Sequence, residues 1–210
     1  MKIFTLLRPA LVLVGILALL TGMIFPLAVT AIAQAAFPHQ ANGSLVRAGG
    51  KVVGSGLIGQ GFSGPGFFHP RPSAAGTGYD AGNSSGTNLG PISDKLINGV
   101  ADDPATRADE TYAGIRQLAK AYRDVNGIPP GVLLPADAVT RSASGLDPHV
   151  SLRNAELQAE RVARERGLPV RDVRRLIESE AEVPILGAVG EGSVNVLALN
   201  LRLQAKPTAY

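Results

Sequence analysis

The chain has 210 residues, three histidines and no cysteine, and its formal net charge is +3. Lys2 and Arg8 account for two of these charges, so the remainder is too weakly basic for a nucleic-acid partner to be expected. The lack of cysteine excludes disulfides, thiol chemistry and cysteine-based metal sites. Because His39, His69 and His149 are far apart and show no ligand spacing, we expect no metal site.

The first element along the chain is an apolar run from Pro9 to Ala36 that contains no charged residue. At 1.5 Å per residue, its central part spans about 33 Å, enough to cross a hydrocarbon core of about 30 Å. We therefore predict a transmembrane helix over residues 9–34. A cytoplasmic N-terminus, residues 1–8, would precede it, and one extracytoplasmic domain, residues 35–210, would follow it.

A cleaved signal peptide is the alternative interpretation of this run. Lys2 and Arg8 form a basic flank, and Ala31-Ile32-Ala33 imitates a cleavage site. The apolar part of a signal peptide is typically 7–15 residues, much shorter than this run, so a retained anchor is favoured. Since the basic residues lie only before the span, the N-terminus is predicted to be cytoplasmic.

Three residues within the span can shape or pack the helix. Gly22 and Pro26 predict a bend or a packing surface, because small residues permit close approach of two helices. Gly15 and Gly22 are therefore candidate contacts with a partner's transmembrane helix.

Residues 40–91 are rich in glycine and nearly free of charge. Two short apolar segments flank Ala48-Gly49-Gly50, a pattern that predicts a hairpin. Phe62, Phe67 and Phe68 supply three of the six phenylalanines, which is unlike a flexible linker. We interpret this stretch as a compact, loop-rich β region.

The second half of the chain has helical periodicity. Ser93 is expected to cap a short helix, and a longer one is predicted from about Pro104 to Asp124, with Tyr112 on its apolar face. Further helices are predicted from Ser151 to Gly167 and after Pro169, and Asn195–Leu203 alternates like a half-buried strand. The fold class is therefore α+β, with the last strand expected to return to the first sheet.

Two catalytic patterns occur without their structural context. Gly54–Gly59 fits G-x-G-x-x-G, and Gly82–Gly86 fits G-x-S-x-G. Neither is followed by the helix that a dinucleotide site or a nucleophile elbow requires. We therefore assign no catalytic residue. A membrane-anchored exported hydrolase stays as the alternative function, and a solute-binding protein as a third.

Two loops are candidate binding elements. Phe67, Phe68, His69 and Arg71 could contact a partner protein; alternatively, the phenylalanines pin this loop to the core. The second loop, residues 144–147, could bind a nucleotide or another anion through backbone amides; alternatively, it is a turn before a helix. Its members are Ser144, Gly145, Leu146 and Asp147.

The chain resembles the C subunit of the Kdp-type bacterial potassium-transporting ATPase from the anchor to the last predicted strand. Residues 101–131 carry little of this resemblance. The motifs that carry it are Arg8-Pro9-Ala10, Ala41-Asn42-Gly43-Ser44-Leu45, Leu57-Ile58-Gly59-Gln60, Phe68-His69, Arg71-Pro72-Ser73-Ala74, Ser85-Gly86, Asn88-Leu89, Ser144-Gly145-Leu146-Asp147 and Asn195-Val196.

The resemblance implies a non-catalytic subunit of a complex in the bacterial inner membrane, with its bulk in the periplasm. Its implied partners are a channel-like potassium-binding chain and a P-type ATPase chain that hydrolyses ATP. The family's C subunit is described as an assembly factor and a catalytic chaperone that raises the affinity of the ATPase chain for ATP. We expect no covalently bound cofactor, and ATP could be bound through the ATPase chain. Since a periplasmic domain cannot touch cytosolic ATP, the effect would have to be transmitted through the membrane helix and assembly.

Overall fold

A computed structural model of the chain describes residues 2–100, 111–182 and 190–205. It divides into two compact units, Met1–Ser55 and Gly56–Tyr210. The combination of helices and two small sheets confirms the α+β class.

The N-terminal unit begins with a long apolar helix. Helix α1, Lys2–Leu19, continues through a π-helical turn, Leu20–Ile24, into α2, Phe25–Ala36. The stretch Thr5–Ala36 contains no buried residue and is long and apolar enough to cross a membrane. The helix thus extends beyond the predicted span, whose limits at residues 9 and 34 stay a prediction.

A hairpin completes this unit after the short helix α3, Pro38–Ala41. Strand β1, Leu45–Ala48, pairs antiparallel with β2, Lys51–Ser55. Gly49 and Gly50 make the turn with φ angles of 56° and 80°, a conformation that glycine adopts without strain. The predicted hairpin is confirmed, whereas the rest of the glycine-rich region, in the second unit, is mainly turns and irregular backbone.

The C-terminal unit is built from five helices and a small sheet within the described residues. The sheet is antiparallel, and its strand order is β3 (His149–Ser151), β5 (Ser193–Asn195), β4 (Ala181–Glu182). The elements in chain order are α4 (Asp94–Asn98), α5 (Ile115–Asn126), a 3₁₀ turn (Ala136–Ala138), β3 (His149–Ser151), α6 (Leu152–Arg166), α7 (Val170–Ser179), β4 (Ala181–Glu182), β5 (Ser193–Asn195) and α8 (Val196–Gln204).

The core of this unit lies where α6, α7 and α8 pack together with the sheet. Apolar residues at helical spacing on α6 and α7 are buried, because this spacing places them on one face. The fully buried members include Val150, Ala155, Ala159, Val162, Val173, Ile177, Val194, Leu199 and Leu203.

Local signals at helix ends are confirmed. The Ser93 hydroxyl accepts from the amide of Leu96, and the Ser151 hydroxyl accepts from the amide of Asn154. Gly167 ends α6 in the left-handed conformation, with φ of 65°.

The strand predicted over Asn195–Leu203 is wrong. Only Ser193–Asn195 is a strand, and Asn195 then caps α8 by accepting a hydrogen bond from the amide of Ala198. Burial of Val196, Leu199 and Leu203 follows helical spacing, so the alternating leucines were misleading. Strand β5 pairs with β3 and β4, so the chain does not return to the first sheet.

Within the described residues, the helix predicted from about Pro104 to Asp124 is shorter and begins further along the chain. Helix α5 begins at Ile115 and ends at Asn126, and the first predicted turns lie outside the described residues. Tyr112 is in extended backbone that bridges to Val100 rather than on a helix face.

Candidate functional site

The two predicted binding loops lie against each other in the C-terminal unit. The Nη1 atom of Arg71 lies 2.8 Å from Oδ2 of Asp147, and both side chains are partly buried. The hydroxyl of Ser73 donates to the carbonyl of Gly145 at 2.6 Å. Segments that are more than 70 residues apart in sequence therefore form one site.

The glycine-rich region packs tightly onto the second loop. The amide of Gly59 donates to the carbonyl of Leu146 at 2.8 Å, and that of Ser85 donates to the carbonyl of Ser144 at 3.0 Å. Gly145 has a φ of 68°, and a Cβ there would lie 2.6 Å from the carbonyl oxygen of Ser85. The close approach requires glycine at this position.

This arrangement does not favour anion binding by residues 144–147. Three carbonyls of the loop accept hydrogen bonds, and the amide of Leu146 donates to the Ser144 hydroxyl at 3.1 Å. The ionised Asp147 carboxylate also points into the site, where it would repel an anion. The geometry instead supports the alternative interpretation, a turn that holds neighbouring segments.

A chain of charged groups continues from Arg71 and Asp147. The Nδ1 atom of His149 lies 3.7 Å from Asp147 Oδ1, and its Nε2 atom lies 3.3 Å from Oε1 of Glu182. The adjacent His149 and Arg71 lower the pKa of Asp147 to about 2, against the opposing effect of burial. The neighbouring Asp147 and Glu182 in turn raise the pKa of His149. When His149 is protonated, the group holds alternating charges, which favours a fixed geometry over a free general base.

Arg71, Asp147 and His149 line one side of a cleft of about 530 Å³. Asp137 forms another part of its wall and accepts hydrogen bonds from the amide and hydroxyl of Ser151 and from the side chain of Asn154. The Ser151 hydroxyl also caps α6, so this serine serves the fold and is not positioned as a nucleophile.

The segment around Phe68 is clamped by two side-chain amides. Asn200 accepts from the Phe68 amide at 2.8 Å and donates to its carbonyl at 2.9 Å. Gln158 does the same for His69, at 2.7 and 3.0 Å. Each amide thus satisfies both backbone groups of one residue, as a neighbouring β-strand would.

The clamp changes the interpretation of the predicted partner loop. Phe68 is fully buried in the core, so the prediction that it contacts a partner is wrong. Phe67 packs beside Phe62 and under the Arg166 guanidinium, and the His69 ring lies 3.0 Å from the carbonyl of Gly64. Burial lowers the pKa of His69. The alternative interpretation, a loop pinned to the core, describes this segment.

Arg71 makes more contacts within its own chain than the sequence predicted. Besides its ion pair with Asp147, its backbone carbonyl accepts from the Tyr79 hydroxyl at 2.6 Å. Burial and the nearby Asp147 raise the pKa of Tyr79, which keeps this donor protonated. Arg71 therefore joins two parts of the fold, and its role as a partner contact stays a prediction.

Arg161 is a hub, a buried side chain that hydrogen-bonds several distant segments, and it was not identified from the sequence. Its side chain is 2% exposed, and it donates to Asn126 Oδ1 and Gln158 Oε1, each at 2.9 Å. It also donates to the carbonyls of Pro65 and Phe67. The only sequence signal was a run of polar residues among the small apolar residues of α6, which does not identify distant partners.

The two motif matches adopt neither catalytic geometry. The segment after Gly59 is irregular rather than helical. Ser84, the centre of the G-x-S-x-G match, is in a loop and donates its hydroxyl to the carbonyl of Ser144 at 2.9 Å. Both matches therefore serve the packing of the glycine-rich region.

The helix glycines are open to the surroundings. A Cβ at Gly15 or Gly22 would meet no atom within 4 Å, so the chain itself does not use these close-approach positions. Gly22 lies within the π-helical turn, a feature that occurs often at functional sites of helices.

Comparison with known proteins identifies the family. The family model described as "KdpC: K+-transporting ATPase, c chain" matches residues 7–205. The chain belongs to the KdpC family. This match confirms the resemblance seen in the sequence and covers both structural units.

Relatives of this KdpC-family chain are similar over nearly their whole length. The chain is 53% identical to the potassium-transporting ATPase KdpC subunit of Caulobacter vibrioides strain NA1000, over 95% of this chain and 93% of the relative. The corresponding subunit of Caulobacter sp. strain K31 is 51% identical, over 97% and 95%. That of Mycobacterium bovis strain BCG is 48% identical, over 94% and 96%.

Proposed function

We propose that this chain is a non-catalytic accessory subunit of an ATP-driven potassium-transporting complex. The observation that carries the proposal is the similarity, at about half identity, to proteins named as KdpC subunits across both units of the chain. The exposed helix would be the single membrane anchor, and the C-terminal unit would lie on the outer face of the inner membrane.

The structure supports a role in assembly rather than chemistry. The hydroxyls of Ser84, at the centre of the G-x-S-x-G match, and of Ser151, in the cleft wall, are used in hydrogen bonds that hold the fold. Hydrogen bonds from Asn200, Gln158 and Arg161 instead hold residues 67–69 in place, and a surface that is already ordered loses less entropy on binding. Its partners would be a channel-like potassium-binding chain and a P-type ATPase chain.

The proposed effect on ATP is indirect. With the C-terminal unit outside, the chain would raise the ATP affinity of the ATPase chain by favouring one arrangement of the complex, because a binding partner shifts an equilibrium by its differential affinity for the states. Only the membrane helix and residues before it could reach the cytoplasmic side.

We expect the helix to remain in the mature protein with its N-terminus inside. The chain has no cysteine, so Ser63→Cys and Thr5→Cys each introduce a single thiol, on opposite sides of the span predicted over residues 9–34. A membrane-impermeant maleimide added to intact spheroplasts should label the first variant and label the second only after permeabilisation. The reverse pattern would overturn the topology, and loss of the segment before residue 36 would indicate a signal peptide.

We also expect loss of this chain to raise the apparent KM for ATP of the complex. Potassium-stimulated ATP hydrolysis would be measured in membranes with and without the chain, followed by adding it back. A lower KM on adding back the full chain, with no hydrolysis by the chain alone, is the expected result. An unchanged KM would refute the effect on ATP while leaving a role in assembly to be judged from co-purification.

A further inference from the structure

The π-helical turn in the membrane helix leaves a backbone carbonyl without its usual partner. The amide of Phe25 donates to the carbonyl of Leu20, five residues earlier. The next residue is Pro26, which has no N–H to donate. The wide turn therefore ends at the point where the helix lacks a donor.

Thr21 is the residue whose carbonyl lacks both its α-helical and its π-helical donor. Its α-helical donor would be the amide of Phe25, which is already bonded to Leu20, and its π-helical donor would be residue 26, a proline. The hydroxyl of Thr21 donates to the carbonyl of Leu17 at 2.7 Å and does not compensate. Both of the helical donors that the Thr21 carbonyl would use are thus missing.

The position of Thr21 in the membrane raises the free-energy cost of leaving its carbonyl without a hydrogen bond. Thr21 lies near the midpoint of the candidate span Thr5–Ala36, which is the depth at which hydrocarbon supplies no hydrogen bond. The neighbouring Gly22 has no side chain, and the space beside it is open. A second helix can therefore approach the backbone at this point.

We propose that this π-helical turn is a docking point for a transmembrane helix of a partner subunit, which donates a hydrogen bond to the Thr21 carbonyl. The donor would be a serine or threonine hydroxyl or an asparagine or glutamine amide, because these side chains bond across helices in membranes. The inference rests on the proposed function and names the chemistry of one contact within it.

Other occupants of this face fit less well. Lipid chains have no donor for the carbonyl. In a second copy of the chain, the polar side chain at this depth is Thr21, whose hydroxyl is already bonded to the Leu17 carbonyl. A donor from a different membrane chain satisfies the group without breaking that bond.

The location of the contact is tested by crosslinking in the assembled complex. A single thiol introduced as Gly22→Cys in the full chain would carry a photoactivatable benzophenone maleimide. Ile24→Cys is the control at the same depth, roughly opposite around the helix. We expect Gly22→Cys to capture a partner subunit at least several times more efficiently than Ile24→Cys. Capture of a second copy, of lipid alone, or equal capture by both variants would overturn the proposal.

The hydrogen bond is tested by returning the missing donor. Pro26→Ala supplies an N–H, so the helix can return to α-helical register, in which the Phe25 amide bonds the Thr21 carbonyl and residue 26 bonds the Gly22 carbonyl. The carbonyl of Thr21 then no longer needs a donor from the partner. We expect about fivefold weaker retention of the chain when the complex is diluted in mild detergent. Pro9→Ala, a matched change near the other end of the same helix, should have little effect. Retention unchanged by Pro26→Ala would refute the hydrogen bond.

These outcomes are separable from failure of the proposed function. If the complex still assembles and the chain still lowers the KM for ATP while both membrane tests fail, the subunit role stands and the docking point is wrong. If the chain never associates with the transport complex, the proposed function itself fails.

Discussion

Arg161→Met should destabilise the C-terminal unit by about 3–5 kcal/mol, because it removes a buried donor from several acceptors at once. Methionine preserves the apolar stem of the arginine. The side chains of Asn126 and Gln158 and the carbonyls of Pro65 and Phe67 would lose the donor that now satisfies them. Since water cannot reach a side chain that is 2% exposed, these losses are not replaced by hydration.

The measurement is urea-induced unfolding of the full chain in detergent, followed by the near-ultraviolet circular dichroism of its tyrosines. Arg164→Met is the matched control, three residues along the same helix, with a side chain that is 64% exposed. It should change the free energy of unfolding by less than about 0.5 kcal/mol. Similar losses for both variants would show that Arg161 is not a hub.

The sequence predicted best those features that depend on neighbouring residues. Ser151 and Gly167 mark the ends of α6 because a hydroxyl cap and a left-handed glycine act within one turn of helix. The hairpin around Gly49 and Gly50 is equally local. Such signals can be read without knowing the rest of the fold.

Helix α8 shows where local pattern fails. Leu197, Leu199, Leu201 and Leu203 alternate as in a strand, yet the same segment places apolar residues at positions 196, 199 and 203 as a helix would. The Asn195 cap and the burial of Asn200 against Phe68 are consistent only with the helix. The second of these contacts spans 132 residues, so the segment alone could not reveal it.

The candidate site was only partly predictable for the same reason. Arg71 and Asp147 were each identified in separate loops, but nothing in their local sequence indicated that they form an ion pair. The clamp by Gln158 and Asn200 was missed, because polar residues on a helix are usually solvent-exposed and their backbone partners lie far along the chain.

Gly145→Ala should lower the stability of the C-terminal unit by clearly more than a glycine substitution at an unconstrained left-handed position. Its Cβ would lie 2.6 Å from the Ser85 carbonyl oxygen and 2.7 Å from the Ala75 amide nitrogen, and both are backbone atoms that cannot rotate away. Gly127→Ala is the control, since its φ of 67° nearly equals the 68° of Gly145 while a Cβ there meets nothing within 4 Å.

Both variants carry the strain of a left-handed alanine, about 1 kcal/mol, so the difference between them isolates the contact. We expect Gly145→Ala to lose about 2 kcal/mol more than the control in the same urea unfolding experiment. Displacement of this loop would also separate Arg71 from Asp147. We therefore expect Asp147→Asn to lower the free energy of unfolding less in the Gly145→Ala background than in the wild type. Equal losses at the two glycines, or fully additive effects, would show that the loop tolerates the side chain and does not join these segments.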